Sequence, residues 1–283
     1  MSGRATALAL AAPPDPPELP VTARPGWPAW SGFAAMGVGT AVLLVASIPL
    51  VPVVISSAAD GPVGQLALLV LILVQDAAYV GTAVGFAWLR GRPRRWQFGL
   101  RPTPLWRTAA IALLVTLLVL GFEIGFVDLA DVDEGGTDVL GTDDGVVAAI
   151  AFSLAAIVVA PVAEELFFRA FLYRSLRNRL RVWSACAINA VVFSSVHVQY
   201  FAEPKIFVII AVFAVGACLL YELTGSVFAP IAMHATFNTL ATAGTDAGYV
   251  VPIAVGVLVV SACVLVPVRL GRGPSPFPPL ARA

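Results

Sequence analysis

Charged residues are scarce in this chain. They make up 12% of its 283 residues, whereas 59% are apolar and the mean hydropathy is +0.90. Soluble domains are typically about 25% charged and about 45 to 50% apolar. The composition therefore predicts a membrane protein. The formal net charge is zero and no basic tract is interleaved with aromatic residues, which argues against a nucleic-acid-binding protein.

Cysteine is also rare. Cys186, Cys218 and Cys263 are odd in number, widely spaced and embedded in apolar stretches. This pattern argues against a disulfide framework and against a zinc site built on cysteine. We interpret the three residues as small core residues.

Long apolar stretches dominate what remains. A helix needs about 20 mostly apolar residues to cross a bilayer. Eight stretches approach this length, so we predict an all-α, polytopic membrane bundle of about eight transmembrane helices. They are residues 33–55, 65–89, 106–127, 146–169, 183–200, 206–223, 226–243 and 248–268.

The segments outside these stretches predict the domain limits. Residues 1–30 are rich in proline and predict a disordered cytoplasmic tail, residues 31–270 form the transmembrane domain, and residues 271–283 form a second cytoplasmic tail. Cytoplasmic loops retain arginine and lysine. The arginines fall in the tails and in loops that share one side, whereas Lys205 and the acidic loop from Asp128 to Asp144 lie on the other. We therefore expect a cell-membrane protein with both termini cytoplasmic.

The two histidines of the chain, His197 and His234, lie inside apolar stretches that also hold Glu164, Glu165 and Asn238. A charged side chain at the centre of a bilayer costs about 2.5 to 3.5 kcal/mol even on lenient insertion scales. Polar residues kept at such positions usually face a cavity and take part in chemistry. We expect the functional site here.

Helical spacing arranges these residues in pairs. Glu165 and Arg169 are four residues apart and predict an ion pair, which leaves Glu164, about 100° away, free to face another helix. Phe193 is four residues before His197, so the phenyl ring should pack beneath the imidazole.

The remaining pair and a predicted hairpin bring the site together. His234 and Asn238 are four residues apart and project together. If the chain turns at residues 178–181, Glu164 and His197 are each about 24 Å from the turn and come to the same depth.

These four residues are compatible with two hydrolytic mechanisms, and the sequence alone does not distinguish between them. Glu164 can act as a general base on water that His197 helps to hold, with His234 and Asn238 donating hydrogen bonds to an oxyanion. Alternatively, Glu164, His197 and His234 can bind zinc with one open position, as hydrolytic zinc sites do.

The order Glu-Glu-x-x-x-Arg, Phe-x-x-x-His, His-x-x-x-Asn resembles the CPBP family, which comprises CAAX prenyl endopeptidases and bacterial bacteriocin-processing or Abi-type membrane proteases. Phe98-Gly99-Leu100-Arg101 is similar to a phrase of bacterial members, so the resemblance covers about residues 98–243. It implies an intramembrane endopeptidase, described as a metalloprotease but also with a metal-free mechanism, that acts on a membrane-embedded or lipid-associated peptide or protein. It also implies that Glu164, His197, His234 and Asn238 are catalytic and that Glu165 and Arg169 brace the site.

Two other functions compete with proteolysis. A membrane scaffold or immunity factor would retain the fold without hydrolysis, and a proton-coupled transporter would use the same polar groups as a relay. The chain contains no His-Glu-x-x-His, and Ser194 and Ser195 lack the Gly-x-Ser-x-Gly setting of a serine nucleophile. Asp76 and Glu123 are expected to be structural or cavity-lining, and Glu222 to meet water at a helix end.

Overall fold

The computed structural model describes residues 25–54, 62–132, 146–243 and 248–270, and in these ranges the chain forms helices and no strand. This confirms the all-α prediction. The eight helices are α1 Ser31–Ser47, continued by the short turns Ile48–Leu50 and Val51–Val54, α2 Pro62–Trp88, α3 Leu105–Ala130, α4 Val146–Arg177, α5 Val182–Ser195, α6 Ile206–Thr224, α7 Phe228–Thr242 and α8 Val250–Leu270.

Six of these helices are long and apolar enough to cross a membrane, namely all except α5 and α7. The protein is therefore a multi-pass membrane protein. The spans predicted at 183–200 and 226–243 were too long, because α5 has 14 residues and α7 has 15. At 1.5 Å per residue these two helices measure only about 21 and 23 Å.

Helices α1, α2 and α4 pack as one layer. Trp30 of α1 contacts Phe86 of α2, whereas Gly39 of α1 faces Thr82, so these two helices are antiparallel. The ring of Tyr79 in α2 stacks on Phe167 of α4 at 4.9 Å. The start of α1 also lies against the end of α4, so α2 and α4 run parallel. Asp76 and Glu164, which lie three residues before Tyr79 and Phe167, therefore have the same depth in the bundle.

The predicted hairpin between α4 and α5 is present. Helix α4 continues to Arg177 and the chain turns at residues 178–181, where Arg179 and Arg181 are exposed. Glu222 does not simply meet water, contrary to the prediction. Its carboxylate accepts two hydrogen bonds from Arg177, at 2.6 and 3.1 Å, and one from Tyr173. The ion pair of Arg177 with Glu222 connects the end of α4 to α6.

The segment before α1 is packed where the structure describes it. Trp27 is 2% exposed, and its ring contacts Phe98 and Phe171 at 5.0 and 4.8 Å. Asn178 donates hydrogen bonds to the carbonyl oxygens of Pro25 and Trp27. The prediction that the disordered tail extends to residue 30 was therefore wrong, because the chain is packed from Pro25 on. Residues 1–24 and 271–283, and the acidic loop from residue 133, lie outside the described ranges.

The Phe98-Gly99 pair anchors the loop between α2 and α3. Gly99 has φ of 69° and its carbonyl oxygen accepts a hydrogen bond from the Val227 backbone at 3.1 Å. A side chain at position 99 would collide with the Tyr221 ring and the Val227 nitrogen. Glycine is needed here both for its left-handed backbone and for its missing Cβ.

Candidate active site

Glu164 lies between two widened turns of α4. The π-helical segments are Ala155–Val159 and Glu165–Tyr173. In the first one the N–H of Ala160 donates to the carbonyl of Ala155, five residues back. In that register the carbonyl of Ala156 would need a donor from residue 161, which is a proline and has no N–H. The carbonyl of Ala156 is therefore available to another donor.

Asn238 of α7 supplies that donor. Its amide nitrogen lies 2.6 Å from the Ala156 carbonyl oxygen. This hydrogen bond holds α7 against α4 and uses one of the two N–H groups of the carboxamide. Helix α4 has a π turn just before Pro161, and Asn238 docks onto it.

Glu165 and Arg169 form the ion pair that their spacing predicts. Arg169 Nη1 lies 2.9 Å from Glu165 Oε1, and both side chains are 0% exposed. The guanidinium also lies over the Phe193 ring, 4.2 Å from its centroid. The pair therefore connects α4 to α5 inside the bundle.

His234 bridges the two adjacent glutamates. Its Nδ1 is 2.9 Å from Glu165 Oε1, and its Nε2 is 4.0 Å from Glu164 Oε2. A carboxylate only accepts hydrogen bonds, so Nδ1 carries the proton and Nε2 of the neutral ring is an acceptor. Glu165 thus fixes both the tautomer and the direction of the ring, and Nε2 faces Glu164.

His197 lies in a turn and not inside a helix. Helix α5 ends at Ser195, and the hydroxyl groups of Ser194 and Ser195 bond back to carbonyls of its last turn. The predicted contact with Phe193 is present, with ring centroids 4.8 Å apart. His197 Nδ1 lies 2.8 Å from the Phe193 carbonyl oxygen. Since a carbonyl only accepts, Nδ1 carries the proton and Nε2 is an acceptor.

One cavity of about 740 Å³ joins these groups. His197, His234 and Asn238 all contribute to its wall. Glu164 is not part of the wall, but its carboxylate is only 12% exposed and lies directly behind His234. The structure thus brings His197, His234 and Asn238 to one cavity with Glu164 beside His234. Glu165, Arg169 and Phe193 contact this group. Their catalytic roles stay predictions.

The described part of the chain has no group of three His, Cys, Asp or Glu side chains close enough to hold a metal ion. Glu164, His197 and His234 therefore do not form a zinc ligand set in this arrangement. The Nδ1 atoms of both histidines are engaged by Phe193 and Glu165.

The sequence alone did not indicate that Asp76 lies beside Glu164. It is 2% exposed, and within the described ranges neither of its oxygens has a hydrogen-bond partner. It lies three residues before Tyr79, as Glu164 does before Phe167, so the two carboxyl groups share one depth on facing helices. They interact electrostatically. Only the tertiary packing of α2 on α4 reveals this neighbour.

Comparison with known proteins bears on the same segment. Residues 146–240 match the family model "Type II CAAX prenyl endopeptidase Rce1-like". The match supports the CPBP/CAAX protease family. The matched residues run from the start of α4 into α7 and include every side chain of the site described above except Asp76. No curated protein and no solved structure matches the chain.

The match supports a CAAX-type intramembrane protease, and with it a peptide substrate. It covers less than half of the chain, so it says nothing of α1 to α3 or of α8.

Proposed function

We propose that this protein is an intramembrane endopeptidase that hydrolyses a peptide bond of a membrane-associated peptide or protein. The observation that carries the proposal is the convergence of His197, His234 and Asn238 on one cavity, with Glu164 immediately behind His234. The family match over the same helices supports it. Proteolysis in the membrane needs a water molecule, a base and hydrogen-bond donors close together. His197, His234 and Asn238 line the cavity, and the proposed base, Glu164, lies 4.0 Å from His234 Nε2.

Glu164 is the proposed base. It takes a proton from a water molecule as the water oxygen attacks the peptide carbonyl carbon. His197 holds that water, because its Nε2 is an acceptor and lines the cavity. The backbone bond of His197 to Phe193 keeps the ring in this orientation without help from another side chain.

Asn238 and His234 are the proposed donors to the oxyanion. Asn238 keeps one N–H after bonding to Ala156, and this N–H can point into the cavity. His234 donates from Nε2 when both of its ring nitrogens carry a proton, and its Nδ1 then still donates to Glu165. The C–N bond then breaks, the carbonyl re-forms, and the proton held by Glu164 passes to the leaving amine.

The proposed mechanism uses a water molecule and no metal ion. The reason is the geometry of the donor set, in which Glu164, His197 and His234 are not gathered as three ligands. A zinc-dependent form of the reaction is tested by chelation, as described below.

Comparative peptidomics tests the proposal. Membranes from cells that express the native chain and a Glu164→Gln variant are compared for peptides and for new protein termini. We expect products that depend on the native glutamate, because removal of a general base typically lowers kcat by about 10² to 10⁴-fold.

Ser194→Ala is the matched control for a serine mechanism. The Ser194 hydroxyl bonds to the Ala190 carbonyl and does not line the cavity, so this variant should keep the native peptide profile. Identical profiles for the native chain and Glu164→Gln would contradict proteolysis.

A further inference from the structure

The active-site cavity lies in one half of the helix bundle. Its wall comes mainly from the end of α3, the start of α6 and the end of α7, in the ranges 120–132, 206–213 and 234–242. Lys205 donates to the carbonyl oxygen of Asp131 at 2.7 Å, so α3 ends at the face where α6 begins. We call this the Lys205 face. Helix α5 starts at the arginine-rich turn of residues 178–181 and ends beside the cavity, so that turn lies at the opposite face.

Helices α3 and α7 are close together in the half nearer the arginine-rich turn. Val119 of α3 and Met233 of α7 both lie against Gly216 of α6. Further towards the turn, Thr108 and Ala229 line a void of only about 50 Å³. Towards the Lys205 face, α3 and α7 instead line the cavity of about 740 Å³. The two helices therefore diverge towards that face, and the cavity fills the cleft between them.

Two side chains of this cleft face both the cavity and the surroundings of the protein. Ile124 of α3 and Leu240 of α7 line the cavity, yet they are 63% and 53% exposed. Ile124 lies four residues before the exposed Asp128, so it is about 6 Å deeper in the bilayer than this charged side chain. Helix α8 lies against α7 through Gly256 and Thr239, and no described residue of α8 belongs to the cavity wall. The cavity therefore borders the lipid between Ile124 and Leu240.

The cavity wall behind this border is suited to an apolar peptide segment. The wall is mainly apolar and includes Leu120, Val127, Ile209, Ile210 and Phe237, together with Glu123 and Asp128. Lipid tails are as apolar as leucine, so an apolar side chain loses little when it moves from lipid to such a wall. A peptide backbone in hydrocarbon, by contrast, needs polar partners. His197, His234 and Asn238 offer such partners in the same cavity.

We propose that substrates enter the cavity sideways from the lipid, between Ile124 and Leu240, as apolar peptide segments. Before entry, such a segment lies in the half of the bilayer near the Lys205 face. The proposal deepens the proposed function and rests on it, because the occupant of the cavity is taken to be the peptide that is cleaved. Entry itself can be tested without any cleavage.

Photo-cross-linking measures contact at the border. Position 124, 240 or 113 of the Glu164→Gln variant carries p-benzoylphenylalanine, and the protein is placed in phosphatidylcholine nanodiscs. Leu113 is the matched control, because it lies on α3 and is 61% exposed but does not line the cavity. The probe is a biotinylated peptide of about 20 leucine and alanine residues, which is long enough to insert into the bilayer.

We expect cross-linking at positions 124 and 240 to saturate with peptide concentration and to fall when unlabelled peptide is added. Cross-linking at position 113 should rise in proportion to the peptide and resist competition, since it reports collisions in the lipid. Equal behaviour at the three positions overturns the proposal. A water-soluble peptide of serine and lysine that saturates cross-linking at the border equally well also overturns it, because entry would then not need the lipid.

Obstruction of the border tests the route during catalysis. Leu240→Trp and Ile124→Trp each place a larger side chain there, whereas Leu113→Trp adds the same side chain elsewhere on the lipid-facing surface. For a peptide that the native chain cuts, we expect the two border variants to lower kcat/KM at least about tenfold with a smaller change in kcat, because they hinder capture of the substrate. Native kcat/KM in both border variants overturns the route. An equal fall of kcat and kcat/KM also overturns it, because the defect then lies in the chemical step.

The route and the proposed proteolysis can fail separately. If cross-linking saturates at positions 124 and 240 but no peptide is cut, entry from the lipid is supported and proteolysis is refuted. If peptides are cut but cross-linking does not saturate, proteolysis stands and the lateral route is overturned.

Discussion

Replacing Arg169 by methionine should be among the most damaging single changes in this protein. The change keeps most of the side-chain volume but leaves Glu165 fully buried, with the His234 ring as its hydrogen-bond partner among the described residues. Breaking a buried ion pair by removing one partner costs about 3 to 5 kcal/mol. Total stabilities of about 5 to 15 kcal/mol are usual, so the loss is a large share of the whole.

The double variant Glu165→Leu, Arg169→Met separates this cause from a simple loss of packing. With both charges removed, no unpaired buried charge remains, and such replacements are often neutral or stabilising. We therefore expect the double variant to be more stable than Arg169→Met alone. It should still lose activity, because His234 Nδ1 no longer has its acceptor.

The free energy of unfolding is measured by titration with SDS in mixed micelles, followed by the fluorescence of the six tryptophans. Arg181→Met, on the exposed turn after α4, is the control and should change stability by less than about 0.5 kcal/mol. If Arg169→Met lies within about 1 kcal/mol of the native chain, the reasoning about an uncompensated buried charge is refuted.

Three further changes test other parts of the structure. Gly99→Ala should lower stability by about 1 to 3 kcal/mol in the same titration, because of its φ of 69° and the collision with Tyr221, whereas Gly85→Ala, in open space within α2, should be neutral or stabilising. Asp76→Leu should raise stability by about 1 to 3 kcal/mol, because it removes a buried carboxyl group without a hydrogen-bond partner among the described residues, and a loss would show that Asp76 has one. Treatment of the purified protein with 1,10-phenanthroline should leave the proposed peptidase activity unchanged, and a loss that zinc restores would contradict the proposed water-only mechanism.

Much of the site follows from spacing along the helices. The helical repeat alone was enough to predict two contacts once the chain segments were chosen correctly. They are the ion pair of Glu165 with Arg169 and the contact of Phe193 with His197. The hairpin of α4 and α5 needed one more step, the position of the turn at residues 178–181. These features depend on residues close in sequence or on one hairpin, so the sequence was sufficient for them.

The parts that were missed depend on tertiary contacts. The bond from Asn238 to Ala156 exists because a π turn and Pro161 together leave one carbonyl without a donor, and nothing in the local sequence of α7 indicates this. A count of apolar residues likewise does not predict that α5 ends at Ser195, because the apolar stretch continues to Val198. Asp76 becomes relevant only when α2 is placed beside α4.

The short lengths of α5 and α7 have a consequence for hydrolysis. A typical hydrocarbon layer is about 30 Å thick, and these helices cover only about 21 to 23 Å of it. Hydrophobic mismatch of this size is relieved by thinning of the lipid around the shorter elements. His234 belongs to α7 and His197 to the turn after α5, so such thinning brings the lipid–water boundary closer to the cavity that both rings line.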